Sequence, residues 1–222
     1  MGYRGVIFDC DGVIVDSEYW FMSSCRKYLQ SLGINPQEEL LATLPGKPVQ
    51  AITKDMRTLF GLKSQTDEQI EQGMYSYYHE VVKSDYHEPM PGLVTFLEEI
   101  IRKGYRTALA TSGDTSHVED IVKITGLKHH FDAVVVISDV EHGKPDPEIF
   151  LTAAQRLSPF GIRSQELVII EDSPNGIQAA KASGIFTIGL KASRIQQDTS
   201  HADLECKTYD DVMKYLESEE QK

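Results

Sequence analysis

Near its N-terminus the chain reads GVIFDCDGVIVDS, residues 5–17. Its four apolar residues, 5–8, lead directly into the carboxylate of Asp9, and a second carboxylate, Asp11, follows two residues later. A short run that is apolar on both faces is typical of a strand covered on both sides, as in a parallel sheet. Similar runs that end in polar residues lie at 107–110, 133–137 and 167–170, and a fifth run lies at 185–190.

The segments between these runs carry helical patterns. In residues 93–101 the apolar side chains recur at i, i+3, i+4, i+7 and i+8, which places them on one face of a helix. Gly104 predicts the end of that helix, and Asp146 predicts the N-cap of another that runs to Leu157. The alternation of strand and helix predicts an α/β fold with a doubly wound parallel-sheet (Rossmann-like) core and right-handed crossovers.

One segment interrupts this alternation. Residues 17–87 contain helical patterns and no convincing strand. We therefore predict a small α-helical domain, residues 17–87, inserted into a core domain formed by residues 1–16 and 88–222. A chain of 222 residues is long enough for one large domain or for one domain with an insertion.

The composition argues against several classes of partner. Twenty-two Lys and Arg residues against 34 Asp and Glu residues give a net charge of −12, whereas a nucleic-acid-binding surface needs a basic stripe. No apolar run approaches the roughly 18 residues that span a membrane, and the N-terminal residues lack a signal-peptide pattern. The three cysteines form no CxxC pair and are typical of reduced thiols. We expect a cytoplasmic monomer that binds neither nucleic acid nor a membrane.

Polar residues follow the predicted strands, and ligands of open parallel sheets bind at the carboxyl ends of the strands. The residues are Asp9 and Asp11 after the first run, Thr111 and Ser112 after the second, Lys144 in the loop beyond the third, and Glu171 and Asp172 after the fourth. Four carboxylates that converge would repel one another unless a cation lay between them. Oxygen ligands favour a hard divalent ion, so the pattern predicts a Mg²⁺ site formed by these carboxylates.

The remaining groups at this edge suit a phosphate dianion. They are the Thr111 hydroxyl, the backbone N–H groups of Ser112 and Gly113, expected to be free, and the Lys144 ammonium. A carboxylate beside them can attack phosphorus and form an aspartyl-phosphate, which divides one difficult displacement into two. A second carboxylate two residues away can protonate the leaving oxygen and later deprotonate the attacking water.

Four stretches carry these residues: DCDGVIVDSE at 9–18, LATSG at 109–113, GKPDPEIF at 143–150 and EDSPNG at 171–176. In this order and spacing they resemble the four motifs of the haloacid dehalogenase (HAD) superfamily. The helical insert is similar to the cap domain of the β-phosphoglucomutase-like phosphatase subfamily. The resemblance implies that Asp9 is the nucleophile and Asp11 the general acid/base. It implies that Mg²⁺ is bound by Asp9, the backbone carbonyl of Asp11 and Asp172, with Glu171 supporting the ion directly or through water. It also implies that Thr111, Ser112 and Lys144 bind the phosphoryl oxygens.

The resemblance also bears on the substrate, because the cap of this subfamily supplies the substrate contacts. The expected specificity loop of the cap contains Gly46 and Lys47. Similar mutases carry a lysine just before this glycine and an arginine three residues after it, where this chain has Pro45 and Val49. We therefore predict a Mg²⁺-dependent phosphatase that acts on a small phosphorylated metabolite, a sugar or polyol phosphate.

Three alternatives remain open at the level of sequence. A β-phosphoglucomutase would share the four motifs and would use Lys47 to bind a second phosphate. A phosphonate hydrolase would need a Schiff-base lysine from the cap, for which Lys47 and Lys54 are candidates. A catalytically inactive HAD-like binding module would keep the fold. Four intact residues argue against it: Asp9, Asp11, Lys144 and Asp172.

Overall fold

The computed structural model describes residues 2–45, 47–84 and 88–221. The chain divides into two compact units, one formed by Met1–Asp16 with Glu88–Lys222 and the other by Ser17–His87. These bounds coincide with those drawn from the sequence, and the roles of the units as core and cap domains stay a prediction. Within the described residues, no helix has the length and apolar character needed to cross a membrane.

The larger unit contains a six-stranded sheet in the order β3-β2-β1-β4-β5-β6, and every pair of neighbouring strands is parallel. The strands are β1 Gly5–Phe8, β2 Arg106–Ala110, β3 Ala133–Val135, β4 Leu167–Glu171, β5 Phe186–Leu190 and β6 Leu204–Cys206. This architecture confirms the predicted doubly wound parallel sheet.

The register of the three central strands determines where the polar residues lie. Phe8 pairs with Leu109 on one side and with Ile170 on the other. The carboxyl ends of β1, β2 and β4 are therefore level, and the residues that follow them come to the same edge of the sheet.

Two features of the sheet differ clearly from the sequence prediction, and the bounds of the other strands agree with it to within one residue. The third strand ends at Val135 rather than at Ile137, because the chain turns there and the Asp139 carboxylate accepts the Val136 N–H at 3.0 Å. Strand β6 was not predicted. It is a three-residue edge strand with an exposed glutamate at its centre, so it lacks an apolar run.

The smaller unit is helical in its described residues. Its helices are α1 Ser17–Ser31, α2 Glu38–Leu41, α3 Val49–Leu59 and α4 Asp67–Ser84. Helices α1 and α4 pack closely where Gly73 faces Tyr28, since a Cβ on Gly73 would lie 2.3 Å from the tyrosine ring. Near the same contact, Cys25 and Met74 place their sulfur atoms 3.5 Å apart.

Five helices cover the sheet: α5 Leu93–Arg102, α6 Thr115–Thr125, α7 Glu148–Leu157, α8 Pro174–Ala182 and α9 Tyr209–Glu220. A core cluster joins Ile7 and Ile169 of the sheet to Phe150 of α7 and Ala179 of α8. The predicted N-cap of α7 was wrong by one residue, because Pro147 occupies that position. Asp146 still accepts the Glu148 N–H, at 3.0 Å, and so satisfies one of the free donors of the first turn.

Candidate active site

A cavity of about 240 Å³ opens at the carboxyl ends of the strands in the larger unit. The residues that line it are Asp9, Asp11, Ser112, Lys144, Glu171, Asp172, Ser173, Asn175 and Gln197. Six of the seven site residues predicted in this unit therefore lie together. The seventh, Thr111, is buried beside the cavity without lining it.

Lys144 lies at the centre of the buried charges. Its Nζ is 2.5 Å from Asp9 Oδ1 and 2.7 Å from Glu171 Oε1, and the three side chains are 7%, 8% and 1% exposed, respectively. Burial would lower the pKa of Lys144, but the adjacent carboxylates of Asp9 and Glu171 outweigh burial and raise it. The lysine is therefore a fixed positive charge in contact with the predicted nucleophile.

The buried carboxylates outnumber the positive charge that faces them. Burial raises the pKa of Asp9 to about 7, although Lys144 partly offsets this effect. Burial, followed by the nearby charges of Glu171 and Asp9, also raises the pKa of Asp172 well above its usual value. Three carboxylates around one lysine carry excess negative charge when ionised, and a cation among them would relieve this.

Glu171 is held in place by hydrogen bonds on both of its oxygens. Oε1 binds Lys144, while Oε2 accepts the backbone N–H groups of Asp172 and Ser173, each at 2.7 Å, and the Ser173 hydroxyl at 3.1 Å. Gly176 gives this carboxylate room, since a Cβ there would lie 1.6 Å from Oε1. The geometry favours a supporting role for Glu171 over direct contact with an ion.

Asp172 provides a buried oxygen that fits a metal ion. Its Oδ1 has no hydrogen-bond partner among the described residues, and a buried carboxylate oxygen without a partner is costly. Asp9, Glu171 and Asp172 place carboxylate oxygens within 4.8 Å of one another. All of these donors are oxygens, as Mg²⁺ prefers, so the residues present fit this ion.

Gly12 makes room for Asp172. Its φ is +79°, in the left-handed region that favours glycine, and a Cβ there would lie 1.9 Å from Asp172 Oδ2. Gly184 is a matched control because its φ is +73° and no atom of the described residues lies within 4 Å of an added Cβ.

We expect Gly12→Ala and Gly184→Ala each to lose about 1–2 kcal/mol of stability from the left-handed backbone conformation, and Gly12→Ala to lose more because its Cβ would meet Asp172. Only Gly12→Ala should displace Asp172, and a displacement of about 1 Å in an active site can cost on the order of 100-fold in rate. Phosphatase assays and thermal unfolding of both variants check this expectation. Equal activities in the two variants would contradict the role assigned to Gly12.

Asp11 lies at the more open side of the cavity, with 43% of its side chain exposed. Its Oδ1 is 3.1 Å from Nε2 of His117, a residue outside the site predicted from the sequence. The hydrogen bond with Asp11 raises the pKa of His117, even though partial burial opposes this. Asn175 and Gln197, which also line the cavity, were likewise not assigned a role from the sequence.

The structure agrees only in part with the predicted phosphate-binding loop. Ser112 lines the cavity, whereas the Thr111 hydroxyl accepts the Gly113 N–H at 3.0 Å. The expectation that this N–H is free was therefore wrong, because the threonine side chain caps its own turn. The phosphate contact assigned to Thr111 stays a prediction.

The predicted specificity loop belongs to the smaller unit. Gly46 lies outside the described residues. Lys47 is ion-paired within the unit, with its Nζ 2.7 Å from Asp55 Oδ2. The role of this loop in specificity stays a prediction.

The sequence matches the model of the haloacid dehalogenase-like hydrolases over residues 6–190. The chain belongs to this family. It is 32% identical over 195 residues to fructose-1-phosphate phosphatase YqaB of Escherichia coli (strain K12), with 85% of this chain and 97% of that protein covered. It is also 32% identical over 192 residues to hexitol phosphatase A of the same organism, with 86% of this chain and 85% of that protein covered.

A solved structure of a related protein is also similar to this chain. The crystal structure of a candidate β-phosphoglucomutase from Thermotoga maritima superimposes with a TM-score of 0.82 at 27% identity, covering 97% of this chain and 99% of that one. Within its family, the chain is a phosphoric monoester hydrolase of the β-phosphoglucomutase-like subfamily. This confirms the subfamily predicted from the four motifs.

Proposed function

We propose that this protein is a Mg²⁺-dependent phosphatase that hydrolyses a small sugar or polyol phosphate through an aspartyl-phosphate on Asp9. The observation that carries the proposal is the buried cluster in which Lys144 binds Asp9 and Glu171. Beside it lies Asp172, whose Oδ1 has no hydrogen-bond partner in the described part of the chain. A nucleophilic carboxylate, a fixed positive charge and an oxygen-lined ion site are the parts that phosphoryl transfer requires.

In the first half-reaction, a carboxylate oxygen of Asp9 attacks phosphorus and the bond from phosphorus to the sugar oxygen breaks. The carboxyl group of Asp11 gives its proton to that oxygen, so the alcohol leaves uncharged. The ammonium of Lys144, which lies beside the attacking carboxylate, stabilises the negative charge on the phosphoryl group during transfer.

In the second half-reaction, water attacks the phosphorus of the aspartyl-phosphate. Asp11, now a carboxylate, accepts a proton from this water, and the bond from phosphorus to the Asp9 oxygen breaks. Inorganic phosphate is released and both carboxyl groups return to their initial states. One acid/base group therefore serves both half-reactions.

The side chains of Asp9 and Asp172 and the backbone carbonyl of Asp11 would hold Mg²⁺, with Glu171 orienting Lys144 and the loop at Asp172. When bound, the ion acts as a Lewis acid that neutralises charge on the phosphoryl oxygens. Competition between the ion and protons for Asp9, whose pKa is about 7 without metal, predicts tighter Mg²⁺ binding as the pH rises towards 7.

We expect Asp172→Ala to abolish Mg²⁺-induced stabilisation, because the variant lacks the buried carboxylate of Asp172. At a Mg²⁺ concentration about 100 times its dissociation constant, the wild type should gain about 2.7 kcal/mol in its free energy of unfolding. The control is Asp146→Ala, since Asp146 is exposed and accepts only a helix N–H in the described contacts. Thermal unfolding with EDTA and with Mg²⁺ checks this, and an equal Mg²⁺ response in Asp172→Ala would contradict the site.

The substrate class is tested with a panel of phosphorylated metabolites ranked by kcat/KM. The relatives named fructose-1-phosphate phosphatase and hexitol phosphatase A support sugar and polyol phosphates as the preferred group. Preference for nucleotides or phosphoamino acids would contradict the proposal.

Two further assays separate the alternatives. A mutase would form glucose 6-phosphate from glucose 1-phosphate and a bisphosphate, whereas a phosphatase would release inorganic phosphate. An inactive binding module would fail to hydrolyse even an aryl phosphate in the presence of Mg²⁺. We expect phosphate release in both assays.

A further inference from the structure

His117 contacts the proposed acid/base group, although neither half-reaction described above uses it. Its Nε2 lies 3.1 Å from Asp11 Oδ1, and its side chain is 27% exposed. The cavity-lining Asp11 is more exposed than the buried carboxylates behind it, so packing alone restricts its rotamers less. A hydrogen bond to a rigidly held neighbour such as His117 would select one rotamer of Asp11.

The chain holds His117 in place through two local features. Helix α6 begins at Thr115, and the side chain of its N-cap, Asp114, accepts the His117 N–H at 2.8 Å. This cap fixes the backbone of His117 in the first helical turn. Gly113 provides space for the imidazole, because a Cβ there would lie 2.6 Å from His117 Cδ2.

We propose that His117 is a positioning residue that holds the carboxyl group of Asp11 in the orientation from which it transfers a proton to the leaving oxygen. The inference rests on the proposed function, since it assumes that Asp11 is the general acid. The predicted role is geometric: the imidazole touches Asp11, and Asp11 touches the reacting atoms.

A comparison of leaving groups isolates this role. A sugar or polyol alkoxide needs a proton as it departs, whereas nitrophenolate is a stable anion that departs without one. Rapid-quench measurement of aspartyl-phosphate formation follows the first half-reaction alone, so the base role of Asp11 in the second does not interfere. We expect His117→Ala to slow phosphorylation by the best polyol phosphate by about tenfold or more, and phosphorylation by p-nitrophenyl phosphate by less than about twofold.

Two control variants test whether a general loss of structure explains the effect of His117→Ala. His117→Gln keeps a nitrogen donor at a similar distance from the backbone and should recover much of the polyol phosphate rate. His142→Ala removes another imidazole that pairs with a carboxylate, since His142 Nδ1 lies 3.2 Å from Glu148 Oε2, outside the cavity. His142→Ala should leave both rates unchanged.

A double-mutant cycle connects His117 to Asp11. If the imidazole acts only through this carboxyl group, His117→Ala should have no further effect on the polyol phosphate rate in an Asp11→Ala background. Additive effects would overturn the inference, as would equal slowing of both substrates or no slowing in His117→Ala. Asp11→Ala alone tests the proposed function: if it slows both substrates equally, Asp11 is not the general acid. If Asp11→Ala slows the polyol phosphate more than p-nitrophenyl phosphate but His117→Ala does not, the inference about His117 is overturned and the proposed function stands.

Discussion

Asp9→Asn is expected to lower kcat by at least about 10⁴-fold, because an uncharged amide cannot attack phosphorus and no aspartyl-phosphate forms. Asparagine has the shape of aspartate and can still accept the hydrogen bond from Lys144. The change should therefore remove chemistry without removing the side chain from its place. Steady-state hydrolysis of the best substrate at saturating Mg²⁺ measures the effect.

The stability of the same variant provides its control. The folded-state pKa of Asp9, about 7, lies above its ordinary value of 3.8, so ionised Asp9 costs folding free energy. That cost develops as the pH rises from about 4 to about 7 and is fully present above 7. Metal-free Asp9→Asn should therefore unfold at the same temperature as the wild type or higher at about pH 8. Wild-type turnover in a folded variant would contradict the assignment of the nucleophile.

Lys144→Met is expected to lower both activity and stability. The side chains are similar in length, and methionine can pack against the Phe150 ring, which lies 4.8 Å from Lys144 Nζ. Loss of the positive charge should lower kcat by about 10²–10³-fold, as for other groups that stabilise developing negative charge. It should also cost metal-free protein about 3–5 kcal/mol, because two buried carboxylates lose their partner.

The loss of stability in Lys144→Met should depend on pH. Asp9 is mostly protonated below its pKa of about 7, so at low pH the lysine faces less negative charge. The destabilisation should be larger at about pH 8 than at about pH 5. Lys103→Met is the matched control, because Lys103 also binds two carboxylates, Glu217 and Glu220, but at the protein surface. A similar, pH-independent loss in both variants would contradict the account of Lys144.

The sequence predicts the carboxylates of the site well, because these residues lie at the ends of strands that the apolar runs predict. Asp9 directly follows β1, and Glu171 and Asp172 are the last residue of β4 and the first residue after it; the two strands are adjacent and in register. An apolar run that ends in a carboxylate therefore predicts both the strand and the edge at which the carboxylate lies. Lys144 is less directly determined, since it lies in a loop beyond a strand rather than at the strand end itself.

Residues that reach the cavity from other elements carry no such signal. His117 lies on the first turn of α6 and meets Asp11 only because β2 places that turn beside β1. Gln197 lies in the irregular segment after β5, where no periodicity predicts its direction. The hydrogen bond between Thr111 and Gly113 and the edge strand β6 depend in the same way on local geometry that apolar patterns do not record.

The most direct test of the account is to identify the residue that carries the phosphoryl group. Wild-type enzyme would be mixed with its best substrate and Mg²⁺, quenched in acid within one turnover, digested and mapped by mass spectrometry, with Asp9→Asn treated in parallel. We predict an acid-stable, hydroxylamine-sensitive phosphoryl group on Asp9 that is absent from Asp9→Asn. Phosphate on another residue, or the same phosphopeptide in the variant, would contradict the central claim.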